Sequence, residues 1–375
     1  MKKALIVATI GGFICSFEKN DIKLLKNLGY QVFIACNTKG REKELEQLEC
    51  NIIHLPIERN PLKRANLTSY RQLKDLIEKE KFDLIHCHTP VGGVLARMAG
   101  RKFRKSGTKV IYTAHGFHFF KGAPLANWLI YYPIERWLSR YTDVLVTINH
   151  EDYGRAKGFH AKRVEYVPGI GVDTEKFSPD STVEKEKDRI YKEFGITQED
   201  TVLLSVGELS ARKNHRVIIE AASKLKNNNI KYLIVGEGPL KAEYQEMIKK
   251  LGLENKVILT GFRRDIREIC AVTDIFVFPS LQEGLPVALM EAMASGISIV
   301  CSNIRGNTDL IDNGKGGYLV SPKDAEMFTR RIEQVIENPV QARKMAGYNL
   351  EVIKKFSVEE IRKKMNSIYL SVQKL

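Results

Sequence analysis

Glu283 and Glu291 stand eight residues apart in the stretch Glu-Gly-Leu-Pro-Val-Ala-Leu-Met-Glu. The apolar run from Ile275 to Phe278 before them reads as a buried strand, and Ala288 to Ala294 reads as a helix. Pro286 suits the first helical position, because it has no N–H to leave unpaired and its φ is already helical. The N–H groups that follow, from Val287 onward, then lack an intrahelical partner and aim at one point with the helix dipole behind them, which makes a binding place for an anion. Two carboxylates are not there to hold phosphate; they accept hydrogen bonds from hydroxyl groups. A ligand with a diphosphate in the middle and a polyol at each end meets both demands, and a nucleotide-sugar is such a ligand. Paired glutamates in a strand–loop–helix unit also occur without any ligand, so the reading depends on the surrounding elements.

Those elements belong to an alternation that fills the second half of the chain. Val202–Val206, Tyr232–Val235, Val257–Thr260, Ile275–Pro279, Ile297–Cys301 and Tyr318–Val320 read as strands, with helices such as Arg216–Leu225 and Leu240–Leu251 between them. After the first strand, Gly207 frees a turn, and Arg212-Lys213 stands near the strand's carboxyl end. A cation pair there, facing the start of the Pro286 helix, would clamp a diphosphate. Gly261-Phe262-Arg263 follows the third strand, where backbone groups and an aromatic ring would suit a nucleobase.

The first half shows the same alternation. Ala4–Thr9, Val32–Cys36, Asn51–Leu55, Leu84–His88, Val110–Thr113 and Val144–Ile148 read as strands, and Tyr70–Lys79 and Val91–Phe103 as helices. Such a pattern predicts parallel sheets with helices on both faces, and ligands beyond the carboxyl ends of the strands. Gly11-Gly12, His86, His88 and Thr113-Ala114-His115-Gly116 fall at those ends. Gly12 permits close backbone approach, although Gly11-Gly12 is not the G-x-G-x-x-G dinucleotide fingerprint; a plain tight turn is equally consistent. His86, His88, His115 and His118 either serve as separate structural residues or form a site; they lack a metal-ligand spacing, and no metal is expected. Phe117 to Tyr141 holds both tryptophans among many aromatics, with Lys121, Arg136 and Arg140 interspersed. It fits a core helix packed on the sheet or an interfacial helix on a membrane, and a mixed arrangement would expose Phe119, Phe120 and Lys121 on a loop.

Glycine and proline cluster from Tyr166 to Asp173, and Phe177-Ser178-Pro179 leads into the charged run Glu184–Arg189, which marks an interdomain linker. The tail, Phe356 to Leu375, reads as an amphipathic helix with Ser357 as N-cap, whose Ile361, Met365, Ile368 and Leu370 need a partner surface.

The chain of 375 residues suits two domains. Its six cysteines are scattered without a Cys-x-x-Cys pair and read as reduced core residues of a cytosolic protein. No apolar run approaches the roughly 20 residues that span a bilayer, and Met1 to Ala8 reads as a first strand instead of a signal peptide. The net charge is +14, and it is uneven: residues 1–165 carry 28 Lys and Arg against 16 Asp and Glu, the remainder 31 against 29. Basic clusters run through Arg59, Lys63, Arg64, Arg71 and Lys74, then Arg97, Arg101, Lys102, Arg104, Lys105 and Lys109. One half is therefore suited to a negative partner: nucleic acid, an anionic membrane face or a phosphorylated substrate. No nucleic-acid-binding motif is present, and nucleic acid is not the expected partner.

The E-x7-E stretch, with Gly207, Lys213, Gly261-Phe262 and the Gly11-Gly12 start, resembles the retaining family 4 glycosyltransferases of GT-B fold over nearly the whole chain. Ile85 to Pro90 and Tyr112 to His118 resemble, more narrowly, the glycosyltransferases of bacterial capsular and exopolysaccharide synthesis. The resemblance implies an α/β fold of two Rossmann-like domains with parallel sheets facing across a cleft. Residues 1–167 would bind the acceptor, 168–355 the nucleotide-sugar, most often a UDP-sugar, and 356–375 would pack back on the first domain. It also implies that Glu291 meets the ribose, Glu283 the donor sugar's hydroxyls, Lys213 the diphosphate and His115 the transferred sugar, so that Glu283, His115 and Lys213 are the catalytic residues. The donor set comprises Gly12, Arg212, Lys213, Gly261, Phe262, Glu283, Gly284, Leu285, Pro286, Val287 and Glu291. His88, His118, Phe119, Phe120 and Lys121 are the candidates for an acceptor or membrane contact. The implied reaction is retaining transfer without metal or resident cofactor; the basic first half and the Phe117–Tyr141 segment point to a lipid-diphosphate-linked or other saccharide acceptor and a cytoplasmic enzyme peripheral to the inner membrane face. Many relatives carry Arg where this chain has Glu208, so Glu208 should turn away or pair with a cation. The competing readings are a nucleotide-sugar epimerase of the same fold, a basic nucleic-acid-binding protein and, disfavoured by the missing fingerprint, a dinucleotide oxidoreductase.

Overall fold

The computed structural model of the chain describes residues 1–179 and 184–375; residues 180–183 of the expected linker lie outside the described residues. The chain divides into two compact units, Met1–Ile170 joined by Glu359–Leu375, and Gly171–Val358.

The first unit is built on seven parallel strands: β1 (Lys2–Ile10), β2 (Tyr30–Asn37), β3 (Asn51–His54), β4 (Leu84–His88), β5 (Lys109–Ala114), β6 (Val144–Thr147) and β7 (Arg163–Tyr166), in the order β3-β2-β1-β4-β5-β6-β7. Residues Ala4 to Thr9 of β1 are all buried, as expected of a central strand covered on both faces. The period of two sorts them: Leu5 and Val7 enter one core with Leu73, Leu95 and Tyr112, while Ala4, Ile6 and Ala8 enter the other with Ile14 and Ile34. The helix Val358–Val372 closes that second core with Ile361, Met365, Ile368, Tyr369 and Val372. Leu370 is not part of this face, being 53% exposed; a helix turns it about 100° from Tyr369, which takes the buried place.

The second unit has six parallel strands: β8 (Thr201–Val206), β9 (Ile230–Val235), β10 (Val257–Gly261), β11 (Ile275–Phe278), β12 (Ser298–Ser302) and β13 (Gly317–Val320), ordered β10-β9-β8-β11-β12-β13. Each sheet reverses its winding once, between β1 and β4 in the first and between β8 and β11 in the second. A crevice opens at the carboxyl ends of such a strand pair. The loops after β8 and β11 are those that carry Lys213 and Glu283.

Four readings need correction. β7 is a further strand, four half-buried residues at a sheet edge, too short and mixed to show a pattern. Pro286 is extended (φ −78°, ψ 119°) and caps the helix Val287–Ala294 from outside instead of opening it. Arg97 does not belong to the basic surface: it is fully buried, with NH1 2.8 Å from Glu135 Oε2 and its guanidinium 3.9 Å from the Tyr112 ring centre. Phe119 is buried and stacks on Phe117 with ring centres 4.7 Å apart, Phe120 is half-buried, and of that loop triplet only Lys121 is exposed.

Candidate functional site

In the second unit the sequence between β8 and the helix His215–Ala222 folds as a compact turn that carries Arg212 and Lys213 to the loop after β11. Leu281 N–H donates to Arg212 O at 2.8 Å, and the Asn214 side chain, at φ 56°, donates to Pro279 O at 3.0 Å and to Pro322 O at 2.7 Å. Lys213 Nζ is 2.8 Å from Glu283 Oε1, and Arg212 NH1 is 3.0 Å from the same oxygen. The Lys213 stem lies against Gly207, where a Cβ would sit 3.0 Å from its Cδ and Cε, so glycine is needed for the lysine to take this path. Its ammonium stands 4.7 Å from the Phe278 ring centre, a cation–π contact that fixes it further.

The Glu283–Pro286 loop is braced from the other side. Arg305 Nε donates to Glu283 O at 3.2 Å, and a Cβ on Gly306 (φ +84°) would come within 2.5 Å of Gly284 O. Met290 N–H makes the first helical bond, to Pro286 O at 3.2 Å; Val287, Ala288 and Leu289 N–H donate to no acceptor among the described residues. Two cations against one carboxylate, beside orphan N–H groups at a helix start, leave a surplus of positive charge, as an anion site requires. A turn further along, Glu291 is half-buried; its carbonyl accepts from Ser295, and its carboxylate has no hydrogen-bond partner among the described residues. Burial pushes its carboxyl up to about 7, against the lowering pull of Lys176. Phe262 is 71% exposed beside Gly261. Glu208 is exposed and forms no ion pair among the described residues. Leu285 is buried under the loop. The structure thus gathers Arg212, Lys213, Glu283 and the Val287 helix start. Gly12 lies in the first unit, where Gly11-Gly12 begins the helix Gly11–Phe17 instead of a tight turn.

The first unit places its histidines differently from one another. His88 turns Nε2 to Glu18 Oε2 at 3.1 Å and Nδ1 to His115 Nε2 at 3.2 Å. The ligand atoms of Glu18, His88 and His115 lie within 4.8 Å of one another; of the two contacts only His88–His115 has hydrogen-bond geometry, and Glu18 Oε2 and His88 Nε2 are buried without a hydrogen-bond partner. His86 sits alongside, Nδ1 2.8 Å from Tyr369 OH and Nε2 2.8 Å from Thr113 Oγ1. Burial keeps the imidazoles neutral: His86 is pushed down to about 3, His115 to about 4 and His88 well below its ordinary range. The same burial raises Glu18 well above the carboxylate range and Asp21 to about 6. His88 is 1% exposed, so it cannot itself touch a membrane; it supports His115. Glu18, Asp21 and Tyr369 were not singled out by sequence reasoning. They come to the histidines from segments roughly 65 residues before and 280 after, and no local spacing announces that. Replacing His88 with Phe is expected to destabilise the first unit by about 1–3 kcal/mol, because the buried His115 ring nitrogen loses its hydrogen-bond partner. Urea unfolding of the variant against the parent measures it.

His118 stacks on Tyr131 at 4.6 Å, in the middle of the helix Leu125–Leu138. That helix buries only Glu135 and Leu138, and leaves Leu125, Leu129, Ile130, Ile134 and Trp137 in solvent. It is therefore neither a plain core helix nor fully detached. No helix of the described residues is long and apolar enough to cross a membrane.

Comparison with known proteins agrees with this geometry. Residues 186–352 match the family model of the glycosyl transferases group 1, and residues 4–149 that of the glycosyl transferase 4-like proteins. EpsD of Bacillus subtilis (strain 168), named as a glycosyltransferase, is 40% identical over 372 residues, 98% of this chain and 96% of its own. The UDP-Gal:alpha-D-GlcNAc-diphosphoundecaprenol alpha-1,3-galactosyltransferase of Escherichia coli is 28% identical over 365 residues, 94% of this chain and 92% of its own. Among solved structures, HepE of Anabaena in complex with UDP aligns with a TM-score of 0.80 at 19% identity, over 99% of this chain and 100% of that one. WaaG, a glycosyltransferase involved in lipopolysaccharide biosynthesis, aligns with a TM-score of 0.75 at 16% identity, over 98% and 99%. Likeness at that level of identity shows a common fold, and it is the GT-B fold expected from the sequence.

Proposed function

The chain belongs to the group 1 glycosyl transferases, and on that premise we propose that it moves a sugar from a UDP-sugar to a lipid-diphosphate-linked saccharide in cell-surface polysaccharide synthesis. The observation that carries this reading is the convergence of Lys213 and Arg212 on Glu283 Oε1 at the start of the Val287 helix. As the bond from anomeric carbon to phosphate breaks, negative charge grows on the leaving diphosphate. Lys213, Arg212 and the N–H groups of Val287 to Leu289 stabilise it from fixed positions. That charge takes the part a divalent ion plays elsewhere, so the proposal includes no metal. When the diphosphate draws the two cations, Glu283 is released to accept hydrogen bonds from the sugar hydroxyls. The Phe262 ring and Gly261 take the base, and Glu291 takes the ribose hydroxyls; the role of His115 at the transferred sugar rests on the family resemblance.

The UDP class is supported by the complex of HepE with UDP and by the printed donor of the Escherichia coli relative, and the lipid-diphosphate acceptor by that same relative's name. The exposed aliphatic residues of the helix Leu125–Leu138 and the basic first half support work at an anionic membrane face, the inner one for a cytoplasmic enzyme. Retention at the anomeric carbon is part of the proposal, and NMR of the product linkage tests it. A thermal-shift panel of UDP-, GDP- and ADP-sugars tests the donor class. A UDP-sugar at about 100 times its Kd should stabilise the fold by about 2.7 kcal/mol, and equal shifts from all three would overturn the UDP reading.

Glu291 gives this reading a pH signature. Its carboxyl is held at about 7 against an ordinary 4.5, so between those values the folded chain keeps a proton the unfolded chain has lost. The stability from this group is present below 4.5 and fades as pH rises through about 7. Ribose hydroxyls donate to the ionised form, so UDP affinity should rise with pH through about 7, and binding at pH 6.5 should release a proton. Calorimetry in buffers of different ionisation enthalpy detects that proton, and Glu291→Gln is expected to abolish its release.

A further inference from the structure

The first unit contains a cavity of about 760 Å³, within the size range of small-molecule sites, that neither the donor chemistry nor the histidine cluster uses. We propose that it takes the isoprenoid chain of the acceptor, an inference that rests on the lipid-linked acceptor reading above and adds where the lipid sits. Val94 and Leu95 of the helix Pro90–Gly100 form one wall, and Ile130 and Ile134 of the helix Leu125–Leu138 the other. Asn66, Asn60 Oδ1 and Glu135 in the lining are already engaged within the protein. Asn66 accepts from Glu58 N–H at 2.9 Å and donates to Asn60 O at 2.9 Å, Asn60 Oδ1 accepts from Leu62 N–H at 3.0 Å, and Glu135 pairs with Arg97 at 2.8 Å. A saccharide needs free acceptors and donors for its hydroxyls, and these side chains do not offer them. An apolar chain needs none.

The mouth of the cavity explains how such a chain would enter. Leu62 on its rim is 90% exposed, Ile130 and Ile134 are exposed as well as lining, and Leu125 and Leu129 continue the apolar surface outward on the same helix. Contiguous exposed aliphatics of this kind mark a surface that leaves water on binding. Arg59 lines the cavity, and Lys63 and Arg64 follow on the same loop; none of the three has an acidic partner among the described residues. They supply the charge that a diphosphate head requires. The inner end reaches Thr9 and Thr89, at the carboxyl ends of β1 and β4. There the sheet reverses its winding, and an acceptor saccharide would be presented for reaction.

The experiment uses farnesyl diphosphate as the probe, below its critical micelle concentration and without donor. Both tryptophans, Trp128 and Trp137, lie on the helix Leu125–Leu138, so their emission reports on the cavity wall. Saturable binding at one per chain is expected, with inorganic diphosphate giving no change. Val94→Phe, which fills the cavity, and Arg59→Ala, which removes the charge, are each expected to weaken binding about tenfold, with the urea-unfolding profile of the donor-free chain unchanged in both as the test of folding. Parental affinity in Val94→Phe would overturn the proposal, as would inorganic diphosphate matching the probe or short-chain phosphatidylglycerol displacing it at equal concentration. Failure of the donor reading is seen separately: UDP would not stabilise the protein while farnesyl diphosphate still bound.

Discussion

Lys213→Ala is expected to lower kcat for sugar transfer by about 10²–10³-fold, the loss seen when one fixed stabiliser of developing negative charge is removed. The effect should fall on kcat more than on KM, because the charge on the diphosphate is larger in the transition state than in the bound donor. Lys213→Arg should not restore the rate. The lysine stem runs against Gly207 with no room to spare, and its ammonium is a point charge above Phe278, a place that a planar guanidinium does not fit. Steady-state kinetics at saturating acceptor, with the thermal midpoint of each variant recorded beside them, measures both. A fall in kcat of less than about threefold in Lys213→Ala would place the leaving-group charge elsewhere.

Glu283→Gln carries a more distinctive expectation, because the same carboxylate does two things. Without donor it holds Lys213 at 2.8 Å and Arg212 at 3.0 Å through one oxygen. An incoming diphosphate must win those cations from it. The neutral amide holds them less strongly, so UDP alone should bind about 3- to 10-fold tighter to the variant than to the parent. Transfer should nonetheless slow by about 10²-fold, since the amide is a weaker acceptor for the sugar hydroxyls as the anomeric carbon gains positive charge. Tighter product and slower turnover in one variant is a pattern that simple unfolding does not produce. If both UDP affinity and kcat stayed at parental values, Glu283 would be a structural ion-pair partner only.

The cluster of the second unit was legible because its parts are local. Lys213 follows one strand and Glu283 another, the strands are continuous apolar runs, and parallel winding brings their carboxyl ends together. All six strands of the second unit were visible for the same reason. The first unit's buried cluster depends on tertiary packing that no window of sequence contains. Glu18 carries no local signal in the sequence, yet it is buried against His88. Arg97 reads as surface charge, yet it lies inside, paired with Glu135 from a helix some forty residues on. In the aromatic segment, Phe119 and Leu129 are both apolar; one packs beneath the helix and the other faces solvent, and composition does not separate them. β7 was missed because an edge strand with two half-buried faces carries little periodic signal.

The central claim is that Lys213 and its neighbours hold the diphosphate of a nucleotide-sugar, and calorimetric titration with UDP and with uridine tests it most directly. UDP should bind the parent chain at least about 100-fold more tightly than uridine, and Lys213→Ala should remove most of that difference. Equal affinity for UDP and uridine, or a Lys213→Ala variant that keeps the full preference, would contradict it.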